Sequence, residues 1–419
     1  MQLRLGLRAG LFRLLKSFDL IRARAGVRRR AWFLDNLTLL KVGNAALAGL
    51  AFAMRRSKTH SLPVVLKVDI SPVCNLHCTV CVHAQPGPGS SSSLVDQTFR
   101  GTDRMSIGEF TRICDEVSGR TMAMSLYYLG DPLTHPDLAA LCQVATDRNI
   151  NTHVSTNFSF NLSDGEIEEL VLSGLTHLTV CIDGLKQDTY ERTRVGGQIH
   201  LVLDNLERLV ACRARLSRTF PRVEVQYIQF QHNVEQVEDV RALCASLKVD
   251  VFTSFWGGLH NYTDRPPTPL DLCTPRSRKV LGRCEWPHFA MVVKYTGDVI
   301  PCCVYRLGEQ YALEGAPHSL GNVFQVGVKA LWNDQSYQRV RQQVLNTKRT
   351  AGREDGSFCD GCPKLYASKH HPPYRSARTY QWEQFYELGK SGRPIRHSAL
   401  PQIREVPVSL TVRDSTAQD

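Results

Sequence analysis

This 419-residue sequence has no uninterrupted apolar run of the ~20 residues that a membrane-crossing helix needs. Its best stretch, LTLLKVGNAALAGLAFAM at 37–54, is broken by Lys41 and Asn44, and reads as a helix packed on the body or lying at a bilayer surface. A cleavable secretory signal is also missing. Arg4, Arg8 and Arg13 interrupt the first apolar stretch, and no small-residue cleavage site follows. The body lacks net charge as well. Of the formal +11, residues 1–60 hold everything, with 13 Lys and Arg against Asp19 and Asp35, while the rest has 38 residues of each sign. The basic balance therefore describes one terminal segment, and it gives no support to a nucleic-acid role for the whole protein.

What the chain does have is cysteine, fourteen in all, without a disulfide framework. In a chain with no export signal, clustered thiols point to a reducing compartment and to metal or redox chemistry. Three stand at C-x3-C-x2-C in SPVCNLHCTVC, as Cys74, Cys78 and Cys81. Thiolates suit iron–sulfur clusters and zinc. Three of them on a four-iron cluster leave one iron without a protein ligand, and that iron can take a substrate or cofactor. The alternatives are a zinc site with a distant fourth ligand, or buried thiols.

The pattern around the motif alternates strand-like and helix-like stretches. Strands are expected at 64–70, 125–130, 150–156, 177–183, 223–230 and 249–255. Helices are expected at 105–117, from Asp137, after the cap Ser163, at 199–216 and at 234–247. Six strands with helices between them make a parallel α/β sheet. The cysteine loop follows the first strand, on the side where such folds place their sites. Residues 82–104 form a Gly/Pro/Ser-rich loop. At the N-terminus, Leu3, Leu7, Leu11, Leu14, Phe18 and Ile21 share one helical face among basic residues. That pattern fits a membrane-surface helix or a helix packed on its own protein.

CNLHCTVC resembles the cluster loop of the radical S-adenosylmethionine (SAM) enzymes. The resemblance implies a [4Fe–4S] cluster on Cys74, Cys78 and Cys81, whose open iron chelates SAM. It also implies reductive cleavage of SAM to a 5′-deoxyadenosyl radical, which abstracts a substrate hydrogen. LGDP at 129–132 is similar to the family's GGEP, with Leu129 and Asp131 departing from it and Gly130 and Pro132 matching. It implies a hold on the SAM amino group by Gly130, Asp131 and Pro132. STN resembles the family's polar stretch near the SAM ribose, which implies that role for Ser155 and Asn157. CIDG resembles SIDG, with Cys181 in the serine's place and Asp183 following. YERTRVGG resembles a segment whose arginine, here Arg194, reaches the SAM carboxylate, and QFQHN is similar to an adenine-contacting stretch, which implies that role for Asn233. Read without the resemblance, each is bland: Gly-Asp-Pro is a common turn, Asp183-Gly184 a strand exit, Arg194 a surface charge.

A second set, Cys284, Cys302, Cys359 and Cys362, with LGNVFQVGVKALWN between its halves, resembles the SPASM domain appended to radical SAM enzymes. It implies one auxiliary iron–sulfur cluster; a structural zinc knuckle is the alternative. Gly297-Asp298 is expected to turn a hairpin between two strands. Cys114, Cys142, Cys212 and Cys244 lie in helices and read as core.

The implied architecture is a partial (β/α)6 TIM-type barrel over 61–258, with a basic helical extension at 1–60. A linker at 259–283, a small SPASM domain at 284–375 over the barrel mouth and a tail at 376–419 follow. The implied reaction is oxidation or epimerisation of a sugar, aminocyclitol or lipid-linked small substrate. No peptide-leader-binding domain is evident at the N-terminus, which favours that class over maturation of a ribosomal peptide. A non-catalytic iron–sulfur or zinc module is the reading from another class. Cys303, Cys181 and Cys273 are candidate thiol hydrogen donors, Cys303 foremost because it adjoins a cluster ligand. A flavodoxin- or ferredoxin-type electron donor, a small-molecule or peptide substrate and membrane-surface contact through 1–60 complete the expected partners. The expected location is cytoplasmic, peripheral at the inner membrane face.

Overall fold

A computed structural model describes residues 36–81, 104–257, 270, 283–303, 319–346, 358, 359, 362, 365 and 381–384. Residues 1–35 of the expected helical extension, 82–103 of the expected loop, Cys273 and most of the tail lie outside the described residues.

Helix α1 (Leu39–Ala53) comes first, started by Thr38, whose side chain accepts from the Lys41 amide. Strand β1 (Val65–Val68) follows. Then alternate α2 (Ile107–Val117), β2 (Ala123–Ser125), α3 (Leu138–Asp147), β3 (Asn151–Thr156), α4 (Asp164–Leu172) and β4 (His177–Cys181). After these come α5 (Ile199–Arg215), β5 (Arg222–Gln229), α6 (Val237–Ser246) and β6 (Val251–Trp256). Two helices begin with reciprocal capping boxes, Ser106 with Glu109 and Ser163 with Glu166. Each box satisfies amides that the first helical turn cannot. Gly174 ends the α4 segment at φ +79, where a Cβ would strike Thr146.

Strands β1 to β6 pair in parallel in chain order. That is the open α/β sheet the alternation predicts, and it carries two additions. Strand β7 (Ala290–Val293) lies parallel to β1 and turns at Gly297 (φ +82) into β8 (Val299–Ile300). Strand β9 (Gln381–Gln384) pairs antiparallel with β6. The sheet order is β8-β7-β1-β2-β3-β4-β5-β6-β9. The hairpin expected in the small C-terminal unit thus joins the main sheet at its β1 edge, and the tail, with no strand expected, supplies the opposite edge.

Helix α7 (Gln335–Leu345) packs back on this addition. Its Arg341 is fully buried, donating to the carbonyls of Pro287 (2.8 Å) and Ser57 (3.0 Å). The guanidinium sits over the rings of Trp332 and Tyr337. Cys114, Cys142, Cys212 and Cys244 are buried in the core.

Candidate active site

The cysteine loop leaves β1 and is tied down from two sides. Its backbone runs beside the segment after the short helix Gln187–Glu191: the amides of His77 and Thr79 each donate at 3.0 Å to the carbonyls of Val195 and Thr193. From the other side the exit of β2 presses on it. The Asp131 amide donates to the Val73 carbonyl at 2.8 Å, and a Cβ on Gly130 would lie 2.2 Å from that same oxygen. Only glycine lets these two backbones touch. Strand β2, expected at 125–130, runs instead from Ala123 to Ser125, and the residues after it form the loop that carries Gly130.

Asp131 stands where the family motif has glutamate, and it is turned inward. Its carboxylate accepts from the Asn157 amide (2.7 Å), the Thr156 hydroxyl (2.9 Å) and the Leu133 amide (3.0 Å). Burial pushes its pKa up to about 6 against those bonds. Asn157 donates to Asn75 at 2.8 Å, and Asn75 donates to the Ser159 carbonyl at 2.7 Å. Asp131, Thr156, Asn157 and Asn75 therefore form one brace from the ends of β2 and β3 to the cysteine loop.

Arg194 completes the rim. Its Nε donates to Asp183 at 2.5 Å and its Nη1 lies 4.0 Å from the Cys78 sulfur. Burial works against its charge, but Asp183, with Cys78 and Cys181, outweighs it and holds the group well above its ordinary pKa. Asp183 also accepts from the Ile228 amide at 3.1 Å. Asn233 is wholly internal, donating to the carbonyls of Asp183 and Ile228 and accepting from the Phe230 amide. It shapes the β5 exit and is fully engaged in doing so. Pro132 opens a single 3-10 turn beside the brace.

Burial raises Cys78 to about 11 and raises Cys74 further, with Asp131 adding to the rise at Cys74. Cys74 and Cys78 each lie within electrostatic reach of Cys81. Thiols so held ionise when a cation compensates the charge, so the donor set suits a metal centre, whose binding would release protons. Among the described residues no three His, Cys, Asp or Glu side chains converge closely enough to hold a single metal ion.

Below the rim, polar residues of successive strands stand in register. Lys67, Ser125, His153 and His177 make one row; Ser155, Thr179 and Glu224 the next; Cys181, Gln226 and Thr253 the third. They alternate with the apolar side chains Leu66, Met124, Val154, Leu178 and Val225, which belong to the helix-covered core. Within the first row His153 bonds Ser125 (3.3 Å), and between rows His153 bonds Thr179 (3.0 Å) while Glu224 bonds His177 (2.9 Å) and Thr253 (2.8 Å). Lys67 lies 3.7 Å over the Tyr127 ring. Of these residues the sequence points only to Ser155 and Cys181; the others read as strand interior. The period-two recurrence of Lys, His and Glu in otherwise apolar strands was the available signal.

Of the three candidate thiols, Cys181 lies on this polar face, 3.8 Å from the Ser155 hydroxyl and near Arg194. Burial raises its pKa. Cys303 is half-buried against the core near the end of the β7–β8 hairpin. In the second cysteine set, Cys284 and Cys359 are buried, and Cys302 and Cys362 half-buried. Cys302 and Cys359 both lie within electrostatic reach of Tyr337, whose hydroxyl donates to the Ala290 carbonyl. The Cys362 amide donates to the Cys359 carbonyl at 3.3 Å, closing the CDGC turn.

Residues 284–363 match the SPASM family, an iron–sulfur cluster-binding domain. The chain therefore carries a SPASM domain after its parallel sheet. It is 28% identical over 132 residues to an AdoMet-dependent heme synthase of Methanosarcina barkeri, covering 32% of this chain and 34% of that one. It is 24% identical over 143 residues to a GTP 3′,8-cyclase of Clostridium botulinum, covering 34% and 42%. The chain thus spans between a third and about two fifths of the length of these curated relatives. Its fold is shared with SuiB of Streptococcus suis, solved bound to S-adenosylmethionine. There the TM-score is 0.53 at 13% identity, over 85% of this chain and 88% of SuiB.

Proposed function

We propose that Cys74, Cys78 and Cys81 hold a [4Fe–4S] cluster open to SAM, and that the protein is an enzyme acting on a C–H bond of a small polar substrate. The observation that carries this is the rim itself. Three thiols after β1 are pinned between the Gly130 backbone and residues 193–195, with Arg194 beside Cys78. When bound, the cluster and SAM supply one-electron cleavage to a 5′-deoxyadenosyl radical, and hydrogen abstraction is that cofactor's chemistry. The chain's own residues position and shield. Arg194, held charged by Asp183, can receive a carboxylate. Asp131 keeps the β3 end and the cysteine loop in fixed relation. Ser155, Cys181, Gln226 and Lys67 offer hydrogen bonds and charge to a hydroxylated or anionic substrate, over a buried floor of His153, His177 and Glu224. That polar lining favours a sugar-like or aminocyclitol-like substrate over a peptide.

Two outcomes fit. A substrate radical that loses an electron and a proton is oxidised, with a cluster on Cys284, Cys302, Cys359 and Cys362 as electron acceptor. A substrate radical that takes the hydrogen atom of a thiol is epimerised. The thiyl radical left behind needs an electron and a proton, which a flavodoxin- or ferredoxin-type donor and water supply. The register of Cys181 on the polar face, with its sulfur 3.8 Å from the Ser155 hydroxyl, supports it as the donor for the second course. The same reading assigns 61–258 to the radical SAM core and 284–375 to the SPASM unit.

Anaerobic reconstitution with iron and sulfide, then dithionite and SAM, should yield 5′-deoxyadenosine. The Cys74→Ala/Cys78→Ala/Cys81→Ala protein should give none while keeping the iron of the second set. A triple variant that cleaves SAM as well as wild type would falsify the assignment.

A further inference from the structure

The sheet has a second exposed feature, at the end away from the cysteine loop. Helix α1 closes that end with one face. Asn44 donates to the carbonyls of Leu62 and Arg120, just ahead of β1 and β2, and Lys41 to that of Asn149, just ahead of β3. Phe52 packs edge-to-face on His288 and Phe289, ahead of β7. The opposite face carries Leu39, Leu40, Leu47, Leu50 and Met54, all exposed, from 38% at Leu47 to 77% at Leu39. Gly43 lies in the same stripe with open space around its Cα. The spacing 39, 43, 47, 50, 54 is one helical stripe, and in water it is unfavourable.

Charge says what covers it. The stripe ends at Arg55, Arg56 and Lys58, all exposed. From Asn36 to Val68 the sequence contains no Asp or Glu. A protein partner would need its own acids to meet that edge, whereas an anionic bilayer offers acyl chains for the stripe and head groups for the cations at once. With 15 residues and one face committed to the body, α1 is too short and too one-sided to cross a membrane. Among the described residues no helix is long and apolar enough to cross.

We propose that α1 is an interfacial docking face for anionic lipid. It seats the protein by the end of the sheet opposite the cysteine loop, so that a substrate reaches the rim from the aqueous side. This proposal is independent of the radical chemistry and stands or falls without it.

The test is co-sedimentation of the full chain with vesicles of phosphatidylcholine containing about a third phosphatidylglycerol, against pure phosphatidylcholine. Wild type should bind the anionic vesicles only, and more weakly as salt rises. Leu47→Asp/Leu50→Asp should lose roughly tenfold or more in affinity. Arg55→Glu/Arg56→Glu should lose affinity on anionic vesicles too. Removal of residues 1–35 should leave binding that still depends on Leu47 and Leu50. Should the aspartates unfold the protein, Leu47→Ser/Leu50→Ser, checked by thermal melting, carries the same expectation. The proposal is overturned if the leucine variants bind as wild type does, which would assign binding to residues 1–35. It is equally overturned if they convert a dimer to a monomer while no vesicle binding is seen, which would assign the stripe to a second copy.

Discussion

The two ends of this sheet treat polar groups in opposite ways. At the cysteine-loop end, polar side chains hold backbone in place: Asp131, Thr156, Asn157 and Asn75 brace a loop, and Asp183 fixes Arg194 beside a thiol. The loop they hold remains open, with Asn75, His77 and Thr79 exposed. At the far end, polar groups are sealed in. Arg341 and His288 are fully buried and bond mainly to carbonyls of distant segments. One end holds an exposed thiol loop in place, and the other fastens the C-terminal unit and α1 to the sheet. Damage at the first should therefore cost function ahead of stability, and damage at the second stability ahead of function.

The largest effect is expected at Gly130. Alanine there would put a Cβ against the carbonyls of Val73 (2.2 Å) and Ser71 (2.4 Å), both backbone. Something must shift, and the cysteine loop is what lies in the way. Gly130→Ala should lose more than about tenfold in iron bound at the first set, because misplaced ligands do not assemble a site. Iron at the second set should persist. Equal loading of both sets in the variant would show that the close approach does not govern the loop.

Next comes Arg341, where the comparison predicts the reverse. Arg341→Ala removes bonds to Pro287 and Ser57 carbonyls and empties the space over Trp332 and Tyr337. A loss of about 3 kcal/mol in unfolding free energy is expected, at the upper end for one substitution. SAM cleavage per reconstituted cluster should stay near wild type. If cleavage falls while the melting curve does not move, the division between the two ends is wrong.

The same contrast explains what the sequence made legible. The parallel order β1 to β6 followed from alternating periodicities, and capping at Ser106 and Ser163 from local chemistry that needs no partner far along the chain. Cys74, Cys78 and Cys81 stand out in the sequence because three thiols sit within eight residues. Long-range facts were not. Nothing in AMVV announces that β7 pairs with β1, more than two hundred residues earlier, and the tail around Gln381 carries no alternation of its own. The inward turn of Asp131 and the row Lys67–Ser125–His153–His177 depend on strand register, which only pairing sets. Cys181 was legible as a strand end, but its place on the polar face needed the sheet.

The last effect concerns pH, absent near pH 7 and growing only as the pH falls, and it sharpens the account of the sealed end. His288 is buried, with Nε2 3.0 Å from the Arg56 carbonyl and its ring against Phe52. Burial, with Arg341 and Arg283 nearby, lowers its pKa from 6.5 to about 4. In the unfolded chain the imidazole takes a proton once the pH drops below 6.5, whereas in the folded protein it stays neutral until about 4. Between these values the unfolded state binds more protons, so stability rises with pH across the window. The contribution is fully present above 6.5 and is lost as the pH falls toward 4, by up to about 3 kcal/mol. Glutamine keeps a donor for the Arg56 carbonyl and has no proton to gain. Denaturant unfolding of His288→Gln should therefore show a shallower decline than wild type from pH 6.5 to 4, and a similar stability at pH 7. Carboxylates elsewhere contribute to both proteins alike, so the difference between the two curves isolates the imidazole. Parallel curves would mean that His288 is reached by water in the folded state, and that the far end is less sealed than its packing indicates.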